Sequence, residues 1–490
     1  MSIFPDHWQL LPLEEVMDAI IDYRGKTPKK TELGIPLITA KIVKEGRILE
    51  PAEFIAEKDY KSWMVRGFPK IDDVVITTEA PLGEVAQLTD SNVALAQRIV
   101  TLRGKDGVLY NDFLLCAMQS NYVQHQLESR STGSTVKGIK QSELRKILLP
   151  IPPIEEQIEI AHILKTLNNK IELNRQTNQT LEQIAQAIFK SWFVDFEPTR
   201  AKITAKKRWI ALNDVIETAS PVCYAEKFDN KHKDTNSRNQ TLEQAMTQAA
   251  MAAISGKTLK ELEQLNPEQL QQLKTTADLF PDALVESELG EIPETWNVKR
   301  LDEVAENHST TFDFSQVEEV VFVNTGDVLE GRFLHRNYSS KDGLPGQAKK
   351  AIQKDDILYS EIRPKNKRFA YVSEDCDDYV VSTKFMIVRS LGIVHPRYLY
   401  QILRQETTIR EFNLIAESRS GTFPQITFDS IGYMPIVVPS EDIQKAFMSF
   451  FKPIIEKIDL VVKEGKSLVD LRDALLPKLL SGSFVVEQVN

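Results

Sequence analysis

Two kinds of loop recur in this chain whose side chains could grip an anion and read a polar surface. Arg24, Lys26, Lys29 and Lys30 crowd one Gly/Pro-containing loop, and Arg130-Ser131-Thr132-Gly133-Ser134-Thr135-Val136-Lys137-Gly138 forms a basic, hydroxyl-rich one. Much later, Arg363-Pro364-Lys365-Asn366-Lys367-Arg368 puts four cations within six residues, and Arg419-Ser420-Gly421-Thr422 repeats the hydroxyl-rich loop. Guanidinium and ammonium groups neutralise phosphates, while Ser, Thr and bidentate Arg also address base edges. Any one of these runs has the composition of a solvated surface loop. Their recurrence at what reads as matching places sets a DNA-contacting reading level with that of solvated surface loops, and both stay open on these residues alone. The candidate contacts are Arg24, Lys26, Lys29, Lys30, Arg130, Ser131, Thr132, Ser134 and Lys137 in the first set. Arg363, Lys365, Lys367, Arg368, Arg419, Ser420 and Thr422 form the second.

A search for catalytic groups returns little. A phosphate loop needs Gly-x4-Gly-Lys-Ser/Thr so that backbone amides wrap the phosphates. Gly256-Lys257-Thr258 supplies the end of it, but Met251 stands where the first glycine belongs. No Gly-x-Gly-x-x-Gly opens a helix after a strand, and no Asn/Asp-Pro-Pro-Tyr/Phe of adenine methyltransferases is present. The seven histidines lack metal-ligand spacing; His162 falls on a long helix and His395 precedes Pro396 at a helix start. The carboxylate pairs Asp72-Asp73 and Asp355-Asp356 read as turns before strands. Pro281-Asp282 with Glu286 and Glu288 lacks the lysine a metal-dependent nuclease would add. No catalytic residue and no metal site are expected.

With 490 residues, 42% hydrophobic and 27% charged, the chain has an ordinary globular composition and room for several folding units. A formal charge of −10 argues against a protein that coats nucleic acid non-specifically and leaves room for a local, shaped site. Cys116, Cys223 and Cys376 are far apart, which fits a reducing cytoplasm rather than a disulfide framework. The N-terminal stretch has neither a basic region nor an apolar run, so no signal peptide is expected. The small-apolar stretch Ala249 to Ile254 is far below the roughly 20 residues that a bilayer needs. A cytoplasmic protein without a membrane segment is the expectation.

The elements that must position these loops come in two copies. Trp8-Gln9-Leu10-Leu11-Pro12-Leu13-Glu14-Glu15-Val16 is answered by Trp296-Asn297-Val298-Lys299-Arg300-Leu301-Asp302-Glu303-Val304. Glu45-Gly46-Arg47 then matches Glu330-Gly331-Arg332, Asp72-Asp73-Val74 matches Asp355-Asp356-Ile357, and Glu128-Ser129-Arg130-Ser131 matches Glu417-Ser418-Arg419-Ser420. Pro150-Ile151 and Pro435-Ile436 complete the series. Matches kept in order at a nearly constant offset mean a duplicated unit. Each unit reads as mixed α/β, with β-rich runs such as Ile35 to Ile38, Val74 to Thr77, Val320 to Val323 and Phe385 to Val388. One helix is expected from Asn111 to about Leu127, and its counterpart from Pro396 to about Phe412.

A long amphipathic helix follows each unit. In the first, Ile160, Leu164, Leu167, Ile171, Asn174, Asn178, Leu181, Ala185 and Ile188 alternate in steps of four and three. Phe447, Phe451, Ile454, Ile458, Val461, Gly465, Leu468, Arg472 and Leu475 do so in the second, in phase across the duplication. That period is a coiled-coil seam. Asn174 and Asn178 are costly seam residues of the kind that fix register. The two helices are therefore expected to pair antiparallel within one chain, giving a pseudo-twofold arrangement. Placing Ile160 beside Phe447 would contradict that pairing. Between the repeats, a basic start (Arg200, Lys202, Lys206, Lys207, Arg208) leads into Asp229 to Ser237, whose composition predicts a mobile stretch. A Gln/Ala-rich helix from about Thr241 to Ile254 and helical turns from Leu259 to Leu273, broken at Asn266-Pro267, complete a connector.

The whole chain resembles the specificity subunit of a type I restriction–modification enzyme. The resemblance rests on the order of domain, helix, connector, domain and helix, and on three junctions. These are Leu148-Leu149-Pro150-Ile151-Pro152-Pro153-Ile154-Glu155-Glu156-Gln157, Phe189-Lys190-Ser191-Trp192-Phe193-Val194-Asp195-Phe196, and Phe280-Pro281-Asp282-Ala283-Leu284-Val285 followed by Glu288-Leu289-Gly290-Glu291-Ile292-Pro293. The second repeat departs at Pro435-Ile436-Val437-Val438-Pro439-Ser440-Glu441-Asp442-Ile443-Gln444, where the tighter proline run is missing.

The resemblance implies an α/β (α+β) fold in duplicate. Target recognition domains would span 1–154 and 291–440, long helices 155–197 and 441–490, and a connector 198–290. It implies a subunit without catalysis or cofactor of its own that reads a bipartite, asymmetric site in double-stranded DNA. Two adenine methyltransferase subunits would bring S-adenosylmethionine, and motor–nuclease subunits would use ATP and Mg2+, in the cytoplasm at the nucleoid. A helix from Glu155 to Trp192 would run ~55 Å, enough to separate half-sites one DNA turn of ~34–36 Å apart. The competing readings are a coiled-coil protein adaptor that does not bind DNA, and an enzyme whose site leaves no motif.

Overall fold

Val74 to Thr78 is a run of β-branched residues with no polar alternation, and all five positions are buried. Such a strand needs cover on both faces, and the fold supplies it. The protein, a computed structural model, is described for residues 4–25, 27–44, 46–133, 137–218 and 241–483. It divides into two units, Met1–Gln179 with Ile458–Asn490, and Thr180–Lys457.

The first unit contains β1 (Gln9–Pro12), β2 (Met17–Asp22), β3 (Val74–Thr78), β4 (Leu82–Gln87) and β5 (Ile99–Gly104). Then come α1 (Asn111–Gln119), α2 (Asn121–Ser129), β6 (Leu148–Ile151) and the start of α3 (Ile154–Phe193). Strands β2, β5, β3 and β4 form one antiparallel sheet in that order. Val74 and Ile76 face a core shared with Phe113, Leu114 and Leu127. Val75, on the other face, packs with Leu37, Ile38 and Ile55 of a second four-stranded sheet.

The single helix expected after β5 is two, because Ser120 has extended backbone and its hydroxyl accepts from the Val123 amide. A side chain that caps a new helix ends the old one. Among the described residues the connector contains α4 (Glu197–Thr218), α5 (Leu242–Ser255), the single turn Leu259–Leu262 and α6 (Pro267–Leu279). The basic start of that segment is helical from Glu197 on, and Phe196, at φ 54°, separates it from α3. Gly256 ends α5 in the left-handed conformation and Thr258 caps the next turn, so Gly256-Lys257-Thr258 is helix punctuation. Asp229 to Ser237, and Cys223, lie outside the described residues.

The second unit repeats the plan with β7 (Asn297–Arg300), β8 (Ala305–Asn307), β9 (Ile357–Ser360), β10 (Phe369–Tyr371) and β11 (Phe385–Ser390). α7 (Pro396–Leu403), α8 (Glu406–Arg419), β12 (Pro435–Val438) and the start of α9 (Glu441–Leu480) follow. Sheet order β8, β11, β9, β10 equals that of the first unit. The expected helix from Pro396 is again two, broken where Gln405 turns extended.

Side chains repeat as well. Asp73, fully buried, takes Arg103 Nε and Nη2 at 2.7 Å each, and buried Asp356 takes Arg389 at 2.7 and 2.9 Å. The preceding Asp72 and Asp355 adopt φ 68° and 72°. Both aspartates of each pair thus belong to the turn, since Asp73 and Asp356 accept from the Lys70 and Gln353 amides, and the second also anchors a strand through a buried bidentate pair. Gln157 accepts from the Tyr110 amide and donates to the carbonyls of Val108 and Pro152. Gln444 does the same with His395, Ile393 and Pro439.

One proposed match is corrected by register. Gln9 pairs with Ile151 and Asn297 with Val438, so Pro435 corresponds to Leu148 and Pro150 to Val437. A slip of two residues keeps the same faces inward and leaves the hydrophobic pattern unchanged, which is why the sequence alignment accepted it.

Both long helices run for 40 residues, and in each unit their segments pair antiparallel. In the first unit Asn174 Nδ2 donates to Glu464 at 2.8 Å, Arg472 reaches Asn168, and Ile160 and Leu164 share a core with Leu479 and Leu480. In the second, Phe447 lies 5.9, 5.5 and 4.9 Å from the rings of Phe189, Trp192 and Phe193. Residue numbers rise on one helix as they fall on the other. Every named seam residue, from Ile160 to Ile188 and Phe447 to Leu475, is buried or half-buried. Gln157 and Gln444, at the first turns of α3 and α9, fasten each helix to its own unit.

Candidate nucleic-acid interface

In the first unit, β3 and β4 are joined by a tight hairpin whose Ala80 sits at φ 49°. Its base meets the end of the hydroxyl-rich loop: Ile139 donates its amide to Thr78, and Glu79 bridges Gly138. Arg24 joins them, with Nη1 donating to the Ile139 carbonyl at 2.7 Å while Nε faces Asp22 Oδ2 at 3.3 Å. Arg24 and the loop from Arg130 to Gly138 therefore converge. Within that loop Thr132 bridges Gly138, Ser131 donates to the Glu128 carbonyl, Arg130 pairs with Glu143 at 3.3 Å, and Lys137 lies 3.8 Å from Glu128. Lys30 is elsewhere, on a strand that pairs with Phe54–Ile55, and forms an ion pair with Glu53. Lys29 is exposed. Lys26 and Ser134 lie outside the described residues.

In the second unit the hairpin between β9 and β10 carries the four-cation run. Arg363, at φ 47°, donates its amide to the Pro424 carbonyl, Ile362 bridges Gln425, and Ile426 donates to Glu361. This is the same junction as Thr78, Glu79 and Gly138. The run therefore corresponds to the Ala80 hairpin, not to the loop from Arg24 to Lys30, which follows β2. The two basic loops expected at matching places are on different strands. Composition alone aligned them, because charge carries no record of strand order.

Most of the run is spent inside the unit. Arg368 Nη1 donates to the carbonyls of Gly326 and Val328, and Lys367 lies between Glu406 and Glu330, with Glu406 raising its pKa. Lys365 reaches Glu417 at 3.6 Å, an exposed pair worth little. Arg363 keeps an exposed side chain with no partner among the described residues. A left-handed arginine is strained, and the bridges on both sides hold it there. In the adjoining loop Arg419 donates to the Thr427 hydroxyl, Ser420 accepts from the Phe423 amide, and Thr422 is exposed. Phe423 is 64% exposed at the tip.

Sequence reasoning missed Arg66, whose Nη1 donates to the carbonyls of Asp22 and Arg24 at 2.7 and 3.0 Å. It also missed Gln141, which lines the cleft beside Arg24. Neither belongs to a charged run, so no local signal marks them. Elsewhere, Cys116 and Cys376 are free and buried, and burial pushes both thiols up to about 12, so they stay protonated. Among the described residues no group of three or more His, Cys, Asp or Glu could hold a metal, and no helix is long and apolar enough to cross a membrane. His162 is exposed on α3, and His395 caps α7 by accepting from the Arg397 amide.

Comparison with known proteins accounts for the duplication. The family model described as "Type I restriction modification DNA specificity domain" matches twice, at residues 5–183 and 293–468. The HindI specificity subunit of Haemophilus influenzae is 46% identical over 181 residues, which span 37% of this chain and 39% of that relative. The MjaIX specificity subunit of Methanocaldococcus jannaschii is 24% identical over 503 residues, covering 99% of this chain and 95% of the relative. A solved type I restriction–modification S subunit from M. genitalium aligns over 100% of this chain and 99% of its own at 14% identity, with a TM-score of 0.45. Two family domains occupying well over half of its length, each including one globular repeat, place this chain in the type I restriction–modification DNA specificity family.

Proposed function

We propose that each unit reads one half of a bipartite, asymmetric DNA site, and that the paired helices set the unread spacer between the halves. As a member of this family the chain supplies sequence specificity and is not itself an enzyme. It needs no cofactor of its own. Adenine methyltransferase subunits, two per chain, would bring S-adenosylmethionine, and motor–nuclease subunits would bring ATP and Mg2+ chemistry. The complex would act in the cytoplasm at the nucleoid.

The observation that carries this reading is the junction found twice. In each unit a strand hairpin held at a left-handed corner meets a hydroxyl-rich, basic loop, on the same sheet order but with different side chains. One scaffold with two chemistries is what two different half-sites require. In the first unit Arg24, Lys29, Arg130, Ser131, Thr132 and Lys137 are the proposed contacts, and in the second Arg363, Lys365, Arg419, Ser420 and Thr422. Lys367 and Arg368 would position their hairpin. Phosphate contacts dominate affinity, and a chain of net charge −10 has no overall attraction for a polyanion. Binding by the lone chain should therefore be weak and become tight and specific with the methyltransferase.

Co-expression with its methyltransferase in a methylation-free host, followed by mapping of N6-methyladenine, tests the proposal. A two-part motif that disappears without this chain is expected, and exchanging residues of one repeat should alter one half alone. Methylation without a two-part motif would overturn it.

A further inference from the structure

Each unit has a cleft beside the end of the same strand. Ile20 of β2 pairs with Leu102, which pairs with Val74; Asn307 of β8 pairs with Val388, which pairs with Ile357. Counting on from these equivalent residues, Arg24 and Thr311 occupy one position in the two repeats. Arg24 lines a cleft of about 390 Å³ and Thr311 a cleft of about 620 Å³. The two linings correspond at that position, and most of the rest comes from different segments, Asp22, Arg66 and Gln141 in the first and residues 341–349 in the second.

The linings differ in chemistry. In the first cleft Arg66 Nη1 is tied to the carbonyls of Asp22 and Arg24. That leaves Nε and Nη2 without partners among the described residues, presented as a fork whose orientation is already set. Gln141 stands in the same cleft with its side-chain amide unpaired among the described residues. A fixed guanidinium fork matches guanine O6 and N7, and a glutamine amide matches adenine N6 and N7. In the second cleft Phe314, half-buried and 4.8 Å from Phe312, adjoins Leu344, with exposed Lys349 at the rim. Lys341, paired with Glu318, and Asp342 also line it, which leaves Lys349 as the cation without an ion pair among the described residues. An apolar wall beside such a cation suits a thymine methyl next to a phosphate.

We infer that these two clefts are the base-reading sites of the two half-sites, with Arg66 and Gln141 reading purines in one and Phe314 contacting a thymine methyl in the other. The inference rests on the DNA-reading function proposed above and names residues for it.

The test uses the chain in complex with its methyltransferase and a set of duplexes in which each base pair of the mapped site is substituted singly. Gln141→Ala and Arg66→Lys should each lose roughly 5- to 150-fold discrimination at one position of one half-site, and leave the other half unchanged. Arg66→Lys keeps the charge and removes the fork, together with the Nη1 bonds to the Asp22 and Arg24 carbonyls. Phe314→Ala should abolish the affinity difference between thymine and uracil at one position of the opposite half. Melting of each variant complex at the wild-type temperature separates these effects from misfolding. Discrimination unchanged at every position would overturn the inference, as would weakening uniform across all duplexes, which marks phosphate contact alone. A wild-type complex without base preference would instead remove the function on which the inference rests.

Discussion

Gln157 and Gln444 make the same three hydrogen bonds in the two units, so one substitution can be made twice. Gln157 is fully buried and Gln444 is 6% exposed. Truncation to alanine strands one amide and two carbonyls: those of Tyr110, Val108 and Pro152 in the first unit, and of His395, Ile393 and Pro439 in the second. At about 1–3 kcal/mol for an unsatisfied buried polar group, and less for carbonyls that water can reach, the loss should be about 3–5 kcal/mol for Gln157→Ala. Gln444→Ala should cost about 1 kcal/mol less, because its contact with Ile393 is 3.3 Å long and its site is slightly open. Both units need not unfold together, so the assay should be local. Peptide-resolved hydrogen exchange on the full chain should show opening around Tyr110 rise at least 100-fold in Gln157→Ala, with the peptide around His395 unchanged, and the reverse pattern in Gln444→Ala. A rise under tenfold in either variant, or a larger effect in Gln444→Ala, would refute the claim that these glutamines fasten helix to domain.

Phe447→Ala removes a fully buried ring that meets Phe189, Trp192, Phe193 and Phe451, and should cost about 3–5 kcal/mol in denaturant unfolding of the second unit. Gly465→Ala should instead stabilise the first unit by about 0.5–1 kcal/mol, since a Cβ there meets nothing within 4 Å and glycine is a poor helix former; a lower melting temperature would contradict the seam geometry. Burial of Asp112 would by itself raise its pKa, but Lys165, at 2.7 Å, together with Gln87 and Tyr110, lowers it overall. Its folded value lies below its unfolded value, so this stabilisation is present above the unfolded pKa and is lost as pH falls through the folded one. Lys165→Met should therefore shift acid unfolding of the first unit to higher pH, followed by circular dichroism. Charge reversal at Arg363 alone should weaken DNA binding by the complex without changing its melting temperature, whereas reversal at Arg368 should lower melting first, because its guanidinium holds the Gly326 and Val328 carbonyls.

Much of the architecture can be read from one dimension, for physical reasons. Apolar residues in steps of four and three specify a paired helix wherever they occur, and a second copy in phase specifies that the pair repeats. Ordered matches such as Asp72-Asp73-Val74 with Asp355-Asp356-Ile357 show the duplication because the same turn chemistry recurs ahead of the equivalent strand. Helix breaks were harder to read. Ser120 and Gln405 interrupt apolar patterns that would tolerate a continuous helix, and a capping hydroxyl or a turn to extended backbone leaves no trace in periodicity. Charge was the least informative guide to the site. Lys367 and Arg368 are as cationic as Arg363 on paper, yet only folding brings Glu330, Glu406 and two main-chain carbonyls up to them. The same holds for Arg66, an unremarkable residue until its backbone brings Nη1 to two carbonyls from a segment distant in sequence. The repeat, the two long helices and the family follow from the order of residues along the chain. Which cations remain available for DNA was decided by tertiary structure, because a charge is available only where no folded partner has neutralised it.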